Sequence, residues 1–479
     1  MDTEQASADA APVPLHEGQV VDGFVLHERL HQGGMAHLWR VTRLDGSHTM
    51  PLLMKVPRIK GGEDPATIVG FEVEQMILPM LKGPHVPAFV AKGDFTRQPY
   101  IVMEYIAGDT LRPRLDAAPL PLAEIADIGI RVAAALHDLH RQHVVHLDVK
   151  PSNILFRHGG EAVLVDFGLA RHDHLPDLLD EEFQLPMGTG PYMSPEQVQF
   201  VRNDPRSDLF ALGVILYHLA TGRRPFGQPT SVAGLRQRLY RDPVPPRALR
   251  PDCPPWLQEV ILRCLEVKPE RRYQSAAQIA LDLQHPQQIP LTSRAERLHG
   301  RGRLHAFRRW FAALGAEPAG AASAEAQVQR NPILMAAVDL DGGTPALLQA
   351  LCDTTARLLA STPGARLACV GVMRTARIGM DVLTDAQGQS LHLKQLIGLK
   401  HWARPIARAA ALDEGRLTFH VLEAPDAAAA LVEFAQRNEV DHIVIGARGS
   451  GALRRFLGSV SSQVVAESPC TVTVVRAAG

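Results

Sequence analysis

The stretch HLDVKPSNILFRHGGEAVLVDFG, residues 146–168, decides the interpretation of this chain. It carries Asp148, Lys150 and Asn153 close together, then a short apolar strand, and then Asp166 between the strand end and a Phe-Gly turn. This spacing suits a loop that presents a base and a metal ligand on one side of a phosphate and a second metal ligand on the other. The stretch therefore predicts a site for phosphoryl transfer.

In residue types and in order, the stretch resembles the catalytic loop and the Asp-Phe-Gly element of eukaryotic-like Ser/Thr protein kinases. The resemblance implies that Asp148 orients a substrate hydroxyl and accepts its proton. Asn153 and Asp166 would bind Mg²⁺, with Mn²⁺ as an alternative ion, and Lys150 would neutralise charge on the transferred phosphoryl group. A Lys two residues after the catalytic Asp is the pattern of Ser/Thr rather than Tyr kinases. The implied substrates are ATP and a protein hydroxyl.

Length and composition limit the classes to which the chain can belong. With 479 residues, it is expected to fold as two or three domains. The net charge of -1 argues against nucleic acid as an obligate partner, because binding to a phosphate backbone needs a clustered basic excess. Five cysteines without paired CxxC spacing favour a reducing, cytoplasmic compartment. We expect residues 1–19 to be a disordered leader, and no apolar run is long enough to predict a membrane span.

Residues 20–285 are the predicted kinase domain, and its first part alternates apolar and polar residues as an antiparallel sheet does. Within it, LHQGGMAHLW aligns with the glycine-rich loop of the kinases, which lays backbone N–H groups over ATP phosphates. Gly33 and Gly34 are the remaining phosphate-binding candidates, since His31 and Ala36 stand where the family usually has glycine. The extra Cβ atoms predict weaker or slower ATP handling. A simple hairpin turn is the alternative interpretation of this loop.

Lys55 lies on an apolar strand, where a lone charge is costly to bury without a partner. Glu74, in the helical stretch FEVEQMILPML, is the expected partner, and Glu72 competes with it. The resemblance assigns Lys55 to the α- and β-phosphates of ATP and Glu74 to the ion pair that positions this lysine. The alternative is two unrelated, solvated charges.

The stretch YIVMEYIAGDTL, which follows, reads as a buried strand that ends in a Gly-Asp turn. It resembles the hinge between the two kinase lobes. The resemblance makes Met103 the gatekeeper and gives the backbone of Glu104 and Ile106 the hydrogen bonds to adenine.

Three more positions match residues that support the kinase site. Residues 121–142 form a predicted core helix that leads into the catalytic loop. Beyond that loop, Glu196 matches the glutamate of the Ala-Pro-Glu element and Arg272 matches its arginine partner. Asp208 matches the aspartate that anchors the backbone of the catalytic loop.

The activation loop departs from the family. Leu147 replaces the arginine that normally pairs with a phosphate on this loop, and residues 169–187 contain no Ser, Thr or Tyr. With neither an acceptor hydroxyl nor its arginine partner, control of the loop by phosphate is not expected. We therefore expect the loop to be set by its own acidic and apolar residues or by another domain.

Residues 286–330 are a predicted linker. Its basic part, 294–311, carries six arginines beside Phe307, Trp310 and Phe311. This part could be an amphipathic helix on a membrane or a partner. The alternative is a solvated linker whose aromatic residues dock on a neighbouring domain, because Gly300 and Gly302 interrupt the helix.

Residues 331–479 alternate buried strands with helices, which predicts a parallel α/β sheet with any ligand at the carboxyl ends of the strands. VDLD near the start and IGARGSGALRRFLGSVSSQVVAESPCTVTVVR at the end resemble the universal stress protein family. ATP-binding members wrap the phosphates with a Gly-x-x-Gly loop, nine further residues and Gly-Ser. The corresponding residues here are Asp339 at the adenine end and Gly446, Gly449, Gly458 and Ser459 at the phosphates.

The second gap in this motif holds eight residues rather than nine, so nucleotide binding and a purely structural turn both stay open. The family usually dimerises through its last strand, which would make Val472 to Val475 an intersubunit edge and the chain a homodimer.

The sequence thus predicts a bilobal α+β kinase fold followed by an open, parallel, Rossmann-like α/β domain. An active Ser/Thr kinase joined to a domain for nucleotide sensing or dimerisation is the first hypothesis. The rival is a weakly active, pseudokinase-like scaffold in which the C-terminal domain is the main nucleotide binder.

Overall fold

The computed structural model describes residues 15–32, 36–46, 50–58, 65–95, 97–183, 185–299, 331–375, 384, 390–410, 412, 414–447 and 458–477. Residues 1–14 of the predicted leader and residues 300–330 of the predicted linker lie outside these ranges. Within the described ranges, no helix combines the length and the apolar composition that crossing a bilayer requires.

Alternating apolar residues build the N-terminal lobe as an antiparallel sheet. Its described strands are β1 (Val20–Val21), β2 (Phe24–Gln32), β3 (Ala36–Arg43), β4 (Leu52–Pro57), β5 (Phe89–Gly93) and β6 (Tyr100–Glu104), in the spatial order β1-β2-β3-β4-β6-β5. In β4, Leu52, Met54 and Val56 are buried in the core of the sheet. Because side chains alternate along a strand, Lys55 points to the opposite face. Helix α1 (Pro65–Ile77) meets Lys55 on that face.

Helices dominate the second lobe. In chain order the described helices are α2 (Arg112–Asp116), α3 (Leu122–His140), α4 (Leu178–Glu182), α5 (Pro195–Val198), α6 (Arg206–Thr221), α7 (Val232–Arg236), α8 (Pro246–Leu249), α9 (Pro255–Cys264) and α10 (Ala276–Gln284). Short strands carry the catalytic loop region: β7 (Val144–Val145), β8 (Ile154–Phe156), β9 (Ala162–Leu164) and β10 (Arg171–His172).

Helices α3 and α6 form the centre of this lobe. Along α3, the apolar face runs through Ile125, Val132 and Leu139, which are fully buried, as its spacing predicts. Helix α6 is buried along most of its length. It ends at Gly222, which takes a left-handed φ of 70° that favours glycine.

The segment directly after α10 packs on the lobe, although a linker is expected from residue 286. The side-chain amide of Gln258 donates to the carbonyl oxygens of Arg294 and Arg297, each at 2.8 Å. Arg294 in turn binds the carboxylates of Glu259 at 2.8 Å and Glu266 at 3.1 Å. The first part of the predicted linker, up to residue 299, thus contacts the helical lobe.

The C-terminal residues form a separate sheet with parallel pairing throughout. In its described part the strands are β11 (Ile333–Ala337), β12 (Arg366–Arg374), β13 (Leu417–Ala424), β14 (His442–Gly446) and β15 (Thr471–Val475), in the spatial order β13-β12-β11-β14-β15. The helices are α11 (Pro345–Ser361), α12 (Leu391–Ala410), α13 (Ala427–Arg437) and α14 (Ser459–Glu467). Strands alternate with helices as the sequence predicts, so the expected open α/β sheet is confirmed.

A buried ion pair supports the helical lobe. Arg272, which is 1% exposed, donates to both carboxylate oxygens of Glu196 at 2.6 and 2.7 Å. Its guanidinium also donates to the carbonyl oxygens of Glu266 at 2.7 Å and Arg206 at 2.9 Å. Both Nη atoms bind Glu196 and Nε binds Glu266, so the guanidinium joins the end of the activation segment to the segment before Arg272.

We expect Arg272→Met to lower the free energy of unfolding by about 3–5 kcal/mol, because it leaves the carboxylate of Glu196 buried and unpaired. Denaturant titration followed by circular dichroism measures this loss. Arg271→Met, at the exposed neighbouring position, is the control and should change stability by less than about 0.5 kcal/mol. Equal stability of the two variants would contradict the structural role of the pair.

Candidate active site

A buried cation joins the N-terminal sheet, helix α1 and the Asp-Phe-Gly turn. Lys55 Nζ donates to Glu74 Oε2 at 2.6 Å and to Asp166 Oδ1 at 2.8 Å. Burial works to lower the pKa of Lys55, but the two carboxylates outweigh it and hold this pKa above its ordinary value. The charge of Lys55, against the effect of burial, lowers the pKa of Asp166 to about 2. Lys55 and Asp166 are therefore both charged at neutral pH, whereas burial raises the pKa of Glu74 although Lys55 opposes it.

Glu74, rather than the competing Glu72, lies beside Lys55. Glu74 is 2% exposed on the face of α1 that meets the sheet, whereas Glu72 pairs with Lys400 of the C-terminal unit. The two glutamates are separated by one residue on the same helix, so their side chains point in different directions. The sequence could offer both candidates but could not show that each has its own lysine.

Close backbone packing seats α1 on the Asp-Phe-Gly turn. A Cβ atom added to Gly70 would lie 2.9 Å from the carbonyl oxygen of Gly168, closer than Cβ atoms normally pack. Phe167, between Asp166 and Gly168, is fully buried, and its ring centroid lies 5.2 Å from that of His146. The missing side chain at Gly70 thus lets α1 approach the turn and bring Glu74 within reach of Lys55.

The catalytic loop gathers the other candidates around Asp148. Lys150 Nζ donates to Asp148 Oδ2 at 2.6 Å. Asn153 Nδ2 donates to the carbonyl oxygen of Asp148 at 3.1 Å. The hydroxyl of Thr189, from the activation segment, donates to Asp148 Oδ1 at 2.7 Å. Oδ1 therefore already accepts a hydrogen bond from a hydroxyl of the type that a substrate would offer.

Asp208, at the start of α6, fixes the backbone of this loop. Its carboxylate accepts from the backbone N–H groups of His146 and Leu147, each at 2.9 Å, and from His140 Nε2 at 2.8 Å. Leu147 has a positive φ of 61°, which a non-glycine residue adopts only when its surroundings hold it there. Asp208 is 1% exposed and supplies that hold.

Gln197 is a supporting residue that the sequence reasoning did not single out. Its side-chain amide donates to the carbonyl oxygen of Leu147 at 2.7 Å, and it closes a capping box with Ser194 at the start of α5. The signal for the capping box was in the sequence, since Ser194 and Gln197 have the Ser-x-x-Gln spacing. Leu147, at the position where the kinases have an arginine, is 3% exposed. Its backbone N–H and carbonyl oxygen are both hydrogen-bonded, to Asp208 and Gln197.

The hinge candidates lie at the end of β6. The N–H of Glu104 donates to the carbonyl oxygen of Ala88 at 2.8 Å, and its carboxylate binds Arg157 Nη2 at 2.8 Å. The carbonyl oxygen is therefore the group through which Glu104 can meet adenine. Met103 and Ile106, on either side, are each 6% exposed.

The residues proposed for the metal fit a hard divalent ion. Asp166 offers carboxylate oxygens and Asn153 an amide oxygen, which are the donor types that Mg²⁺ binds. The carboxylate of Asp166 is 43% exposed, so it is open to a ligand while it holds Lys55. Gly33 and Gly34, the candidates for phosphate contact, lie outside the described residues.

A second candidate site opens at the carboxyl ends of the C-terminal strands. A cavity of about 540 Å³ is lined by Asp339 after β11, Gly446 at the end of β14, and Gly458 and Ser459 at the start of α14. The structure thus brings together four of the five residues that the sequence singled out, at the edge where ligands of parallel sheets bind. Gly449, the fifth, lies outside the described residues.

Two protein-family models match the chain: Protein kinase domain over residues 53–286 and Universal stress protein family over residues 331–476. Serine/threonine-protein kinase PknL of Mycobacterium bovis is 31% identical over 272 residues, which are 57% of this chain and 67% of the relative. The chain belongs to the protein kinase family. The expected kinase fold and the stress-protein domain that follows it are both confirmed.

Other relatives of the kinase are considerably longer than it is. Serine/threonine-protein kinase PknB of Mycolicibacterium smegmatis is 35% identical over 271 residues, 55% of this chain and 42% of that protein. A probable serine/threonine-protein kinase of Streptomyces coelicolor is 33% identical over 262 residues, 53% of this chain and 38% of that protein. The kinase therefore spans less than half the length of these two relatives. Protein kinases use ATP and a divalent metal ion, which the oxygen donors described above fit.

Asp208→Asn should loosen the catalytic loop, because an amide cannot accept from two backbone N–H groups and a histidine as a carboxylate does. Loss of a buried acceptor costs about 1–3 kcal/mol, so we expect hydrogen exchange at the amides of His146 and Leu147 to become about ten- to a hundred-fold faster. Mass spectrometry of exchanged peptides measures this. Asp252→Asn, at a side chain that is 67% exposed, is the matched control. Unchanged protection of the loop in Asp208→Asn would count against the anchoring role.

Proposed function

We propose that this kinase transfers the γ-phosphoryl group of ATP to Ser or Thr hydroxyls of proteins. The observation that carries the proposal is the position of Lys55, whose Nζ lies 2.6 Å from Glu74 and 2.8 Å from Asp166. This arrangement requires α1 to lie against the sheet and Asp166 to face it. Both conditions are needed for phosphoryl transfer by protein kinases.

In the proposed complex with ATP, each candidate residue has one role. Lys55 binds the α- and β-phosphates, since its two carboxylate partners fix the position of its charge. The carbonyl oxygen of Glu104 and the N–H of Ile106 bind adenine. A divalent ion, Mg²⁺ in this proposal, neutralises charge on the phosphate oxygens when it is bound by Asn153 and Asp166.

Asp148 takes the proton in the proposed transfer. The substrate oxygen forms a bond to the γ-phosphorus, and the bond from this phosphorus to the β–γ bridging oxygen breaks, which leaves ADP. The hydroxyl proton passes to the carboxylate of Asp148, which is placed to accept from hydroxyls as it does from Thr189. Lys150, 2.6 Å from Asp148 Oδ2, offers a positive charge beside the transferred group.

A signalling scaffold with little turnover is the competing function. The replaced glycines at His31 and Ala36 favour it, because they weaken the grip of the loop on phosphate. The assembled contacts of Lys55, Asp148 and Asp166 favour turnover, because a scaffold has no need of a fixed base beside a fixed cation.

Asp148→Asn separates the two functions. We expect the rate of ³²P transfer from ATP to a protein substrate to fall by about 10²–10⁴-fold, because an amide cannot accept the proton. Asp127→Asn, at a surface side chain of α3 that is 50% exposed, should keep the wild-type rate. A wild-type chain that transfers no more label than Asp148→Asn would support the scaffold and refute the enzyme.

A nucleotide is the ligand that we propose for the C-terminal cavity. Gly458 and Ser459 stand at the N-terminus of α14, where backbone N–H groups and the helix dipole favour phosphate. Asp339, on a different loop, lines the same cavity. The proposal has this domain sense ATP, and a structural turn with no ligand is the alternative.

ATP titration of the full-length chain by calorimetry tests the second site. We expect two molecules of ATP bound per chain in the wild type and one in Asp339→Ala, because this variant removes a carboxylate that lines the cavity and also accepts from the N–H of Gly342 in the same loop. Asp353→Ala, on the exposed face of α11, should still bind two. One molecule of ATP in the wild type, unaffected by Asp339→Ala, would leave the cavity without a nucleotide.

A homodimer and a reducing, cytoplasmic setting complete the proposal. Strand β15 lies at an edge of the described sheet, where a second copy could add its own β15. All five cysteines lie within the described residues and are unpaired, and four of them are buried. Unpaired thiols support a compartment in which disulfides do not form.

A further inference from the structure

The kinase presents an acidic surface to its C-terminal domain. Three glutamates form it: Glu72 from α1, and Glu181 and Glu182 from α4, the helix inside the activation segment. Their side chains are only 7%, 13% and 3% exposed, respectively. We call this set the acidic surface. Carboxylates that are so far removed from water need positive partners.

The stress-protein domain supplies those partners. Arg366, at the start of β12, makes two parallel hydrogen bonds to the carboxylate of Glu181, one of them 2.6 Å long from Nη1 to Oε1. Lys400 of α12 forms an ion pair with Glu72. Arg437, at the end of α13, donates to the backbone carbonyl oxygen of Glu181. Three elements of one domain therefore bind two elements of the kinase.

Two buried histidines of the same domain face Glu182. His392 Nε2 lies 3.7 Å from Oε1 of Glu182, and His420 Nδ1 lies 3.8 Å from Oε2. The N–H of Val421 also donates to Oε1 at 3.4 Å. His420 further approaches Glu181, with 3.3 Å between Nε2 and Oε2. Strand β13 thus lies along α4 with its polar groups turned to the acidic surface.

Apolar packing surrounds these charges. Leu178 and Leu179 of α4 and Val421 of β13 are buried in the same hydrophobic core cluster as α1 and α12. The ammonium of Lys400 lies over the rings of Phe95, at 4.7 Å, and Phe419, at 5.1 Å. Phe95 itself stacks edge-on against Phe71 of α1. The contact between the kinase and the stress-protein domain therefore includes a shared hydrophobic core as well as the ion pairs.

The surroundings of the three glutamates differ. Burial, together with the charge of Glu72, raises the pKa of Glu182 well above its ordinary value, which favours its uncharged form. Burial also raises the pKa of Glu181, although Arg366 opposes it. The glutamates that pair with cations are Glu72, with Lys400, and Glu181, with Arg366. These two ion pairs join α1 and α4 to the stress-protein domain.

The acidic surface lies on α1 and α4, and the positions of these two helices affect the site proposed for phosphoryl transfer. Helix α1 carries Glu74, the partner of Lys55, and α4 belongs to the activation segment, which also places Thr189 beside Asp148. Kinases commonly fix that segment with a phosphate bound to an arginine. Here residues 169–187 offer no hydroxyl, and Leu147 stands at the arginine position.

We propose that the stress-protein domain is the resident activating partner of the kinase, and that it holds α1 and α4 in their active positions by binding the acidic surface. The proposal rests on the proposed phosphotransfer, since it concerns the regulation of that site. Arg366 and Lys400 are positioning residues, because they act on the site through α4 and α1. The domain replaces the phosphate with fixed cations.

A charge exchange in the full-length chain tests this. Arg366→Glu and Glu181→Arg each bring like charges together, so each should lower kcat for transfer to a protein substrate by about ten-fold or more. The double variant, Arg366→Glu with Glu181→Arg, restores opposite charges and should regain most of the rate. Hydrogen exchange at α1 and α4 should be faster in each single variant and slow again in the double variant.

Arg404→Glu is the matched control, since Arg404 and Asp94 form an exposed pair at the same contact, 3.6 Å apart. It should change kcat by less than about three-fold. Single variants that keep the wild-type rate, or a double variant as slow as the singles, would overturn the proposal. An inactive wild type would refute the proposed phosphotransfer instead. In that case, exchange at α1 and α4 that is insensitive to Arg366→Glu would still refute the docking.

Discussion

The site depends on one constraint, the cost of placing the charge of Lys55 between a sheet and a helix. Such a charge is tolerated only with partners in contact, and the structure gives it two, from elements far apart in sequence: Glu74 and Asp166. Helix α1 must therefore lie close to the sheet, and the Asp-Phe-Gly turn must face inward. Gly70 makes the approach possible, because its missing side chain leaves room for the carbonyl oxygen of Gly168.

The same constraint reaches the catalytic loop. The carboxylate of Asp208 accepts hydrogen bonds from the backbone N–H groups of His146 and Leu147. The side-chain amide of Gln197, in the activation segment, donates to the carbonyl oxygen of Leu147. Asp148 follows directly and is fixed without any contact from an arginine beside it. With Leu147 at the position of the family's arginine, the loop lacks the guanidinium that would bind a phosphate. The hydrogen bonds from Asp208 and Gln197 still support the geometry of the loop.

The sequence predicted those parts of the site that local patterns encode. Asp148, Asn153 and Asp166 lie on one short stretch whose spacing limits where they can go, and the alternation in β4 places Lys55 on the correct face. It also favoured Glu74 over Glu72 as the partner of Lys55, but it could not show that Glu72 has a partner of its own, Lys400, in another domain. Nor did it place residues 286–299, whose backbone is bound by the side chain of Gln258.

Contacts between domains were the least predictable feature, for a physical reason. Glu181 and Arg366 are 185 residues apart, and neither has a neighbour in sequence that indicates a partner. The sequence left open whether the activation loop is set by its own acidic and apolar residues or by another domain. Only the folded C-terminal domain shows that its charges are matched, because β12, α12 and α13 bring their cations to one surface.

Helix α12 joins this contact to the C-terminal cavity. Gln395 Nε2 donates to Oδ2 of Asp341, which lines the cavity, at 2.5 Å. Lys400, five residues later on the same helix, pairs with Glu72. Gly398, between them, packs against Leu340 of the cavity loop, since an added Cβ atom would lie 2.5 Å from Leu340 Cδ1. The cavity loop and the partner of α1 therefore contact the same helix. Suppose that a ligand of the cavity binds with an affinity that depends on the position of α12. By linkage, this ligand changes the free energy with which α12 binds α1. The contact with α1 changes the binding free energy of the ligand by the same amount.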